Sequence, residues 1–171
     1  HAKTAGFLYQ AELRDRLTRS LGLGWSEVTR GAAGVRGIEE PARAVFSRRR
    51  AEIEAAQAEL GTGTAKSFQA TVLATRKPKP EAMSGRELEA DWTERAREVG
   101  LDQATIEQMV QPGREPARPD VTAAVLARRL TEDRSHFTRK DVIQAVCEQL
   151  SDGGHVAQVE AAADWFVESE H

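Results

Sequence analysis

Cysteine is almost absent from this chain of 171 residues. The single thiol, Cys147, excludes a disulfide framework and any multi-cysteine zinc or iron–sulfur site. Aromatic side chains are scarce as well: three Trp, one Tyr and five Phe. β-Branched residues give way to alanine, with 4 Ile and 13 Val against 27 Ala. That balance argues against an all-β sandwich and favours Ala/Leu/Glu/Arg-rich helices. No run approaches the roughly 18 apolar residues of a membrane helix. No basic-then-apolar leader opens the chain, so a cytoplasmic location without a membrane partner is expected. The four histidines, His1, His136, His155 and His171, never fall within four positions of one another. No metal-ligand pair is visible, and neither a metal nor another cofactor is expected. A chain of this length buries a core without staples, as one domain or one domain with an appendage.

What the chain does have is charge, unevenly placed. Residues 1–80 carry 14 Lys/Arg and 8 Asp/Glu, whereas residues 81–171 carry 10 and 19. A net of +6 followed by a net of −9 is the pattern of a chain in which one half meets a polyanion. An arginine bias, 19 Arg to 5 Lys, can equally reflect composition without function.

Apolar periodicity predicts a first helix over about 3–21, with Tyr9, Leu13, Leu17 and Leu21 on one stripe and Gly22 as its stop. Two short extended runs around the Gly-rich 31–34 turn predict a β-hairpin over about 25–38. Pro41 opens a helix to about Leu60, striped by Phe46, Ile53, Ala56 and Leu60. Thr64 caps another, carrying Phe68, Val72 and Leu73 and ending at Pro78. Ser84 and Glu87 form a capping box for a helix bearing Leu88, Trp92, Ala96 and Val99, and Asp102 caps a shorter piece. Residues 111–119 hold three of the six prolines and read as a linker. Three helices follow at about 120–131, 139–150 and 155–168, the second opened by a Thr138/Asp141 capping box. The fold class is therefore mainly α with one β-hairpin, ending in a small C-terminal helical domain.

Several chemistries fail on inspection. The run from Gly61 to Ser67 would need glycine at 60 and 65 to be a phosphate-binding loop, and those positions are Leu60 and Ala65. Cys147 shares a helical stripe with Ile143, Val146 and Leu150, the setting of a buried structural thiol. Acidic pairs such as Glu39–Glu40 and Glu132–Asp133 sit at polar element ends. The cationic cluster stands out. Arg43, Arg48, Arg49, Arg50, Lys66, Arg76, Lys77 and Lys79 face only Glu52, Glu54 and Glu59 over residues 43–79. Arginine forks match phosphate oxygens in a bidentate way, and such helices can follow a nucleic-acid backbone without reading its sequence. The competing reading is a solvated face with pairs such as Arg48–Glu52 and Arg50–Glu54 at i,i+4.

A series of short segments, in order, resembles a known family. KTAGFLYQAELR at 3–14 is similar to the long helix after the metal-binding histidine motif of conjugative relaxases of the MobF class, the TrwC/TraI-like relaxase–helicases. Gly24-Trp25, then Gly37-Ile38 with Pro41, match the family's strand, hairpin and G-I/V-P turn. Phe46-Ser47-Arg48-Arg49 matches F-S-x-R, and Ala74-Thr75-Arg76-Lys77-Pro78-Lys79 matches A-T-R-K-x-K, with Pro78 interrupting the basic run. Trp92 and Gly100-Leu101-Asp102 match the tryptophan helix and its end, and Phe137-Thr138-Arg139-Lys140-Asp141-Val142 the F-T-R-x-D-V/L helix start.

The resemblance implies an internal portion of such a protein, lying after its metal site and before its helicase. The family's nucleophilic tyrosines and its histidine cluster have no counterpart beyond Tyr9, inside the first helix, so no catalytic residue and no enzyme activity are expected. It implies four regions: 1–40, a long helix and hairpin at the edge of the relaxase core; 41–110, helical fingers that clamp single-stranded DNA at the transfer origin; 111–119, the linker; and 120–171, a small helical domain leading toward the helicase. The DNA-binding candidates are Arg48, Arg49, Arg50, Lys66, Arg76, Lys77 and Lys79. Implied partners are single-stranded DNA, the remaining relaxase and helicase domains, and a type IV secretion coupling protein. Tyr9, Leu13, Leu17 and Trp25 should form an apolar patch where the family's catalytic sheet packs. Two rivals remain. One is a protein-interaction module docking to the coupling protein or helicase. The other is a helix-turn-helix regulator on residues 121–168, weakened by the lack of any Arg or Lys after Lys140.

Overall fold

Helix-stop and capping signals place most of the elements. The computed structural model describes residues 2–47, 53, 55–56, 58, 84–117, 121–132 and 136–169. Among these, seven helices run in order: α1 (Ala2–Leu21), α2 (Glu40–Phe46), α3 (Gly85–Glu98), α4 (Gln103–Met109), α5 (Ala123–Thr131), α6 (Arg139–Gln149) and α7 (Val156–Glu168). Pro41 occupies the first turn of α2, where its missing N–H costs nothing. The Ser84 hydroxyl accepts from Glu87 N at 3.3 Å, and the Glu87 carboxylate takes Ser84 N–H at 2.8 Å. Asp141 does the same for Thr138 N–H at 2.8 Å. His155 Nδ1 accepts from Ala157 N at 3.3 Å to begin α7. The helix expected to run from Pro41 to Leu60 stops at Phe46. Ile53, Ala55, Ala56 and Ala58 are helical again beyond it.

The expected β-hairpin is not formed. Residues 25–35 make two isolated antiparallel bridges, Trp25 with Val35 and Thr29 with Ala32, and no sheet exists among the described residues. Residues 26–28 on one arm face only 33–34 on the other, three against two, so the register slips and no ladder propagates. Ser26 fills the gap: its hydroxyl accepts from Gly34 N at 3.0 Å. The turn itself is the hairpin type, with Arg30 at φ 52° and Gly31 at φ 82°. Gly31 is required for a second reason, since a Cβ there would meet the Phe7 ring at 2.8 Å.

By contacts the chain divides into two compact units, residues 1–37 with 107–171, and residues 38–106. This differs from the division read from the sequence at 40, 110 and 119. The boundary at 106–107 falls inside α4, and the proline-rich stretch belongs to the first unit as far as it is described. Gln111 N donates to Leu21 O at 2.9 Å and Arg114 Nη1 to Leu23 O at 2.7 Å. These bonds hold the described part of the stretch against the end of α1.

In the first unit α6 packs on α1, α5 and α7, and α1 packs on α7. Val142, Ile143, Val146, Cys147 and Leu150 form the middle of the core, joined by Phe7 and Ala11 from α1, Leu126 and Leu130 from α5, and Val159, Ala163 and Phe166 from α7. Each larger side chain contributes about 1.5–3 kcal/mol of burial. α1 does not bury the stripe that periodicity selects. Its buried face is Thr4, Phe7, Ala11, Arg14, Asp15 and Thr18. Tyr9 is 64% exposed and Leu21 40%, with Leu13 and Leu17 half-buried. Trp25, expected in the same patch, is instead buried. In the second unit α3 buries no residue, and Ala42 and Ile53 are its buried apolar side chains among those described.

Candidate nucleic-acid interface

The first unit is braced by buried polar groups. Arg14 is 1% exposed. Its Nη1 donates to Gly31 O at 2.9 Å, and its Nη2 to Cys147 O at 2.9 Å and Leu150 O at 3.3 Å. The latter two are among the last carbonyls of α6, where a cation complements the helix dipole. Burial lowers the Arg14 pKa from its usual value, and Nε has no partner. Trp25 Nε1 donates to the Thr18 hydroxyl at 2.9 Å, and that hydroxyl lies 3.3 Å from Leu23 O. Buried Asp152 accepts from Arg114 Nη2 and Ala117 N, both at 2.7 Å. Sequence reasoning missed Arg14 and Asp152. Only the 4–7–11–14–18 spacing on α1 could have pointed to the first.

These groups are structural. Burial pushes the Cys147 thiol up to about 12, so it is not a nucleophile at neutral pH. The sole tyrosine, Tyr9, stands on the exposed side of α1.

The second unit exposes two aromatic rings and several arginines among its described residues. Phe46 at the end of α2 is 46% exposed and Trp92 on α3 is 54% exposed. Phe46 thus departs from its expected place on a buried stripe and, like Trp92, leaves ring surface open to solvent. Arg43 pairs with Glu40 at 2.8 Å, Arg95 pairs with Asp91, and Arg86 and Arg97 lie on the exposed side of α3. The exposed Arg43–Glu40 pair exchanges partners cheaply, whereas Arg95–Asp91 is partly buried. The seven candidates read from the sequence, Arg48, Arg49, Arg50, Lys66, Arg76, Lys77 and Lys79, lie outside the described residues, as does Phe68.

The family model for the TrwC relaxase matches residues 1–99, more than half of the chain. The chain belongs to the TrwC relaxase family. No curated protein and no solved structure matches it. The matched span of this TrwC relaxase chain includes Arg14 and Gly31, Phe46 and Trp92, and every one of the seven cations, whereas Cys147 and Leu150 lie beyond it. A relaxase family places DNA among the partners of the protein. Among the described residues no helix is long and apolar enough to cross a membrane.

Proposed function

We propose that this chain is a non-catalytic, single-stranded-DNA-binding portion of a MobF-class, TraI-like conjugative relaxase–helicase, acting in the cytoplasm during plasmid transfer. The observation that carries the reading is the coincidence of the TrwC relaxase match over 1–99 with the cationic run of residues 43–79 inside it. Arg48, Arg49, Arg50, Lys66, Arg76, Lys77 and Lys79 supply phosphate contacts, and Phe46 and Trp92 offer ring faces to unstacked bases. A clamp of this composition holds the strand without reading sequence. The nicking step belongs to other parts of the protein, because these 171 residues carry one tyrosine and no histidine pair at ligand spacing.

Titrating labelled single-stranded and duplex oligonucleotides at several salt concentrations tests the reading. The clamp binds single strand in preference to duplex, with an affinity that falls steeply with salt. Preference for duplex, or no binding at low salt, refutes it.

One observation favours a second role for the C-terminal region. Ala157, Ala161 and Trp165 form an exposed i,i+4,i+8 stripe on α7, in the acidic half of the chain. That surface suits docking to the helicase domain or a secretion coupling protein, and pull-down with those partners and a Trp165→Ala variant tests it.

A further inference from the structure

Within the first unit a cleft of about 650 Å³ opens between the start of α1, the 29–32 turn, the end of α5 and α6. That volume falls in the range of ordinary small-ligand sites. Its lining includes three cations, Lys3, Arg30 and Arg129, and two rings, Phe7 and Phe137. Three carboxylates also line it, and two are already engaged. Glu148 takes Arg129 at 2.5 Å and Gly31 N–H at 3.2 Å. Asp141 takes the Thr138 N–H at 2.8 Å and its hydroxyl at 2.6 Å. Glu132 lies exposed just past the end of α5.

Lys3 and Arg30 are different. Among the described residues neither has an ion-pair partner, and the Lys3 ammonium lies 5.6 Å from the centre of the Phe7 ring. Arg30 holds φ at 52°, a left-handed conformation that a side chain with a β-carbon adopts at a cost. The turn would be served better by Asn or Gly at this place. Arg30 thus brings a cation to the wall of the cleft from a strained turn position. Phe137 supplies the second element. It is 42% exposed and packs against Phe166 at a tilt of 49°, ring centres 6.0 Å apart, which holds its ring in place for contact with a flat group.

We infer that this cleft holds a nucleotide of single-stranded DNA, with Lys3 and Arg30 on its phosphodiester and Phe137 against its base. The inference rests on the single-strand binding proposed above and adds a contact region separate from residues 43–79. A volume of about 650 Å³ is on the scale of a single unpaired nucleotide.

The test uses the full chain and a labelled oligothymidylate, titrated at several salt concentrations. Lys3→Ala/Arg30→Asn is expected to lower the log–log salt slope by about 1.4, two contacts at about 0.7 each. Phe137→Leu, which keeps an apolar contact on Phe166 but removes the ring, is expected to weaken binding about five-fold or more. Arg30→Asn alone is expected to weaken binding while raising the thermal midpoint, because Asn-Gly relieves the turn. A merely structural arginine would not produce that opposition. Wild-type affinity and slope in all three variants, while variants of the 43–79 cations still lose binding, would overturn the cleft assignment and leave the clamp standing. Absence of single-strand binding by the wild-type chain would remove both. Thymidine monophosphate displacing the oligonucleotide at concentrations comparable to the oligonucleotide itself would overturn the assignment to a DNA strand.

Discussion

The Arg14 guanidinium donates to the Cys147 carbonyl across 133 positions of sequence, at 2.9 Å. This bond and its neighbours to Gly31 O and Leu150 O tie α1, the 29–32 turn and the end of α6 into one unit. Replacing Arg14 with Ala removes a donor from three carbonyls, of which Leu150 O keeps the Gly153 N–H at 2.9 Å. The expected loss is about 3 kcal/mol in urea unfolding. Arg14→Lys is expected to recover only part of it, since a single ammonium cannot reproduce the fork. A loss below about 0.5 kcal/mol for Ala would show that the brace is dispensable.

Gly153 sits at φ 84°, and a Cβ there would lie 2.1 Å from Ala11 O. Close approach of the α6–α7 turn to α1 depends on that missing carbon. Gly153→Ala is expected to destabilise by about 2 kcal/mol or more, whereas Gly85→Ala, with open space around it, should be neutral or stabilising. Matched thermal melts of the two variants check the contrast.

Cys147 provides a pH prediction. Its pKa is raised in the fold, from 9.0 to about 12, chiefly by burial. The folded state therefore holds the thiol proton more tightly than the unfolded one. This contribution to stability is fully present below about pH 9 and is lost as pH rises toward 12. Alkylation by iodoacetamide at pH 8 should be slow in the native chain and fast in denaturant. Cys147→Ser, with no thiol to titrate, should lack this alkaline loss of stability. Rapid native alkylation would contradict the buried thiol.

Residues 38–106 interrupt the first unit in sequence. Gly37 and Met109, on either side of residues 38–106, are neighbours within the first unit: a Cβ at Gly37 would lie 3.0 Å from Met109 Sδ. Joining Gly37 to Glu107 by a short Gly/Ser linker should leave a cooperatively folding helical protein. Circular dichroism and a thermal melt decide; a non-cooperative melt would mean that the first unit needs the second.

The legible part of the fold was what local chemistry controls. The Ser84/Glu87 and Thr138/Asp141 boxes, Pro41 and the Gly153–Gly154 pair mark helix ends within a residue or two of those observed. Hidden from the sequence was which face of α1 goes inside. That helix is apolar along Tyr9, Leu13, Leu17 and Leu21, yet it buries Arg14, Asp15 and Thr18, because carbonyls from α6 and the 22–31 segment satisfy Arg14 and Thr18. Burial of a polar face depends on partners more than a hundred residues away, so no periodicity reveals it. The hairpin failed for a local reason invisible to an alternation pattern, the three-against-two mismatch between its arms. As for the interface, Trp92 was legible as an aromatic on a capped helix, but its exposure was not. The strain at Arg30 had no sequence signal beyond its place before Gly31.

The central claim is that the cations of residues 43–79 grip the backbone of single-stranded DNA. The most direct measurement compares the wild-type chain with Arg48→Ala/Arg49→Ala/Arg76→Ala/Lys77→Ala, titrating a single-stranded oligonucleotide at several salt concentrations. Four lost phosphate contacts, each worth about 0.7 in the log–log slope, should cut it by about 2.8, alike for oligonucleotides of different sequence. An unchanged slope in a variant with wild-type circular dichroism would contradict the claim.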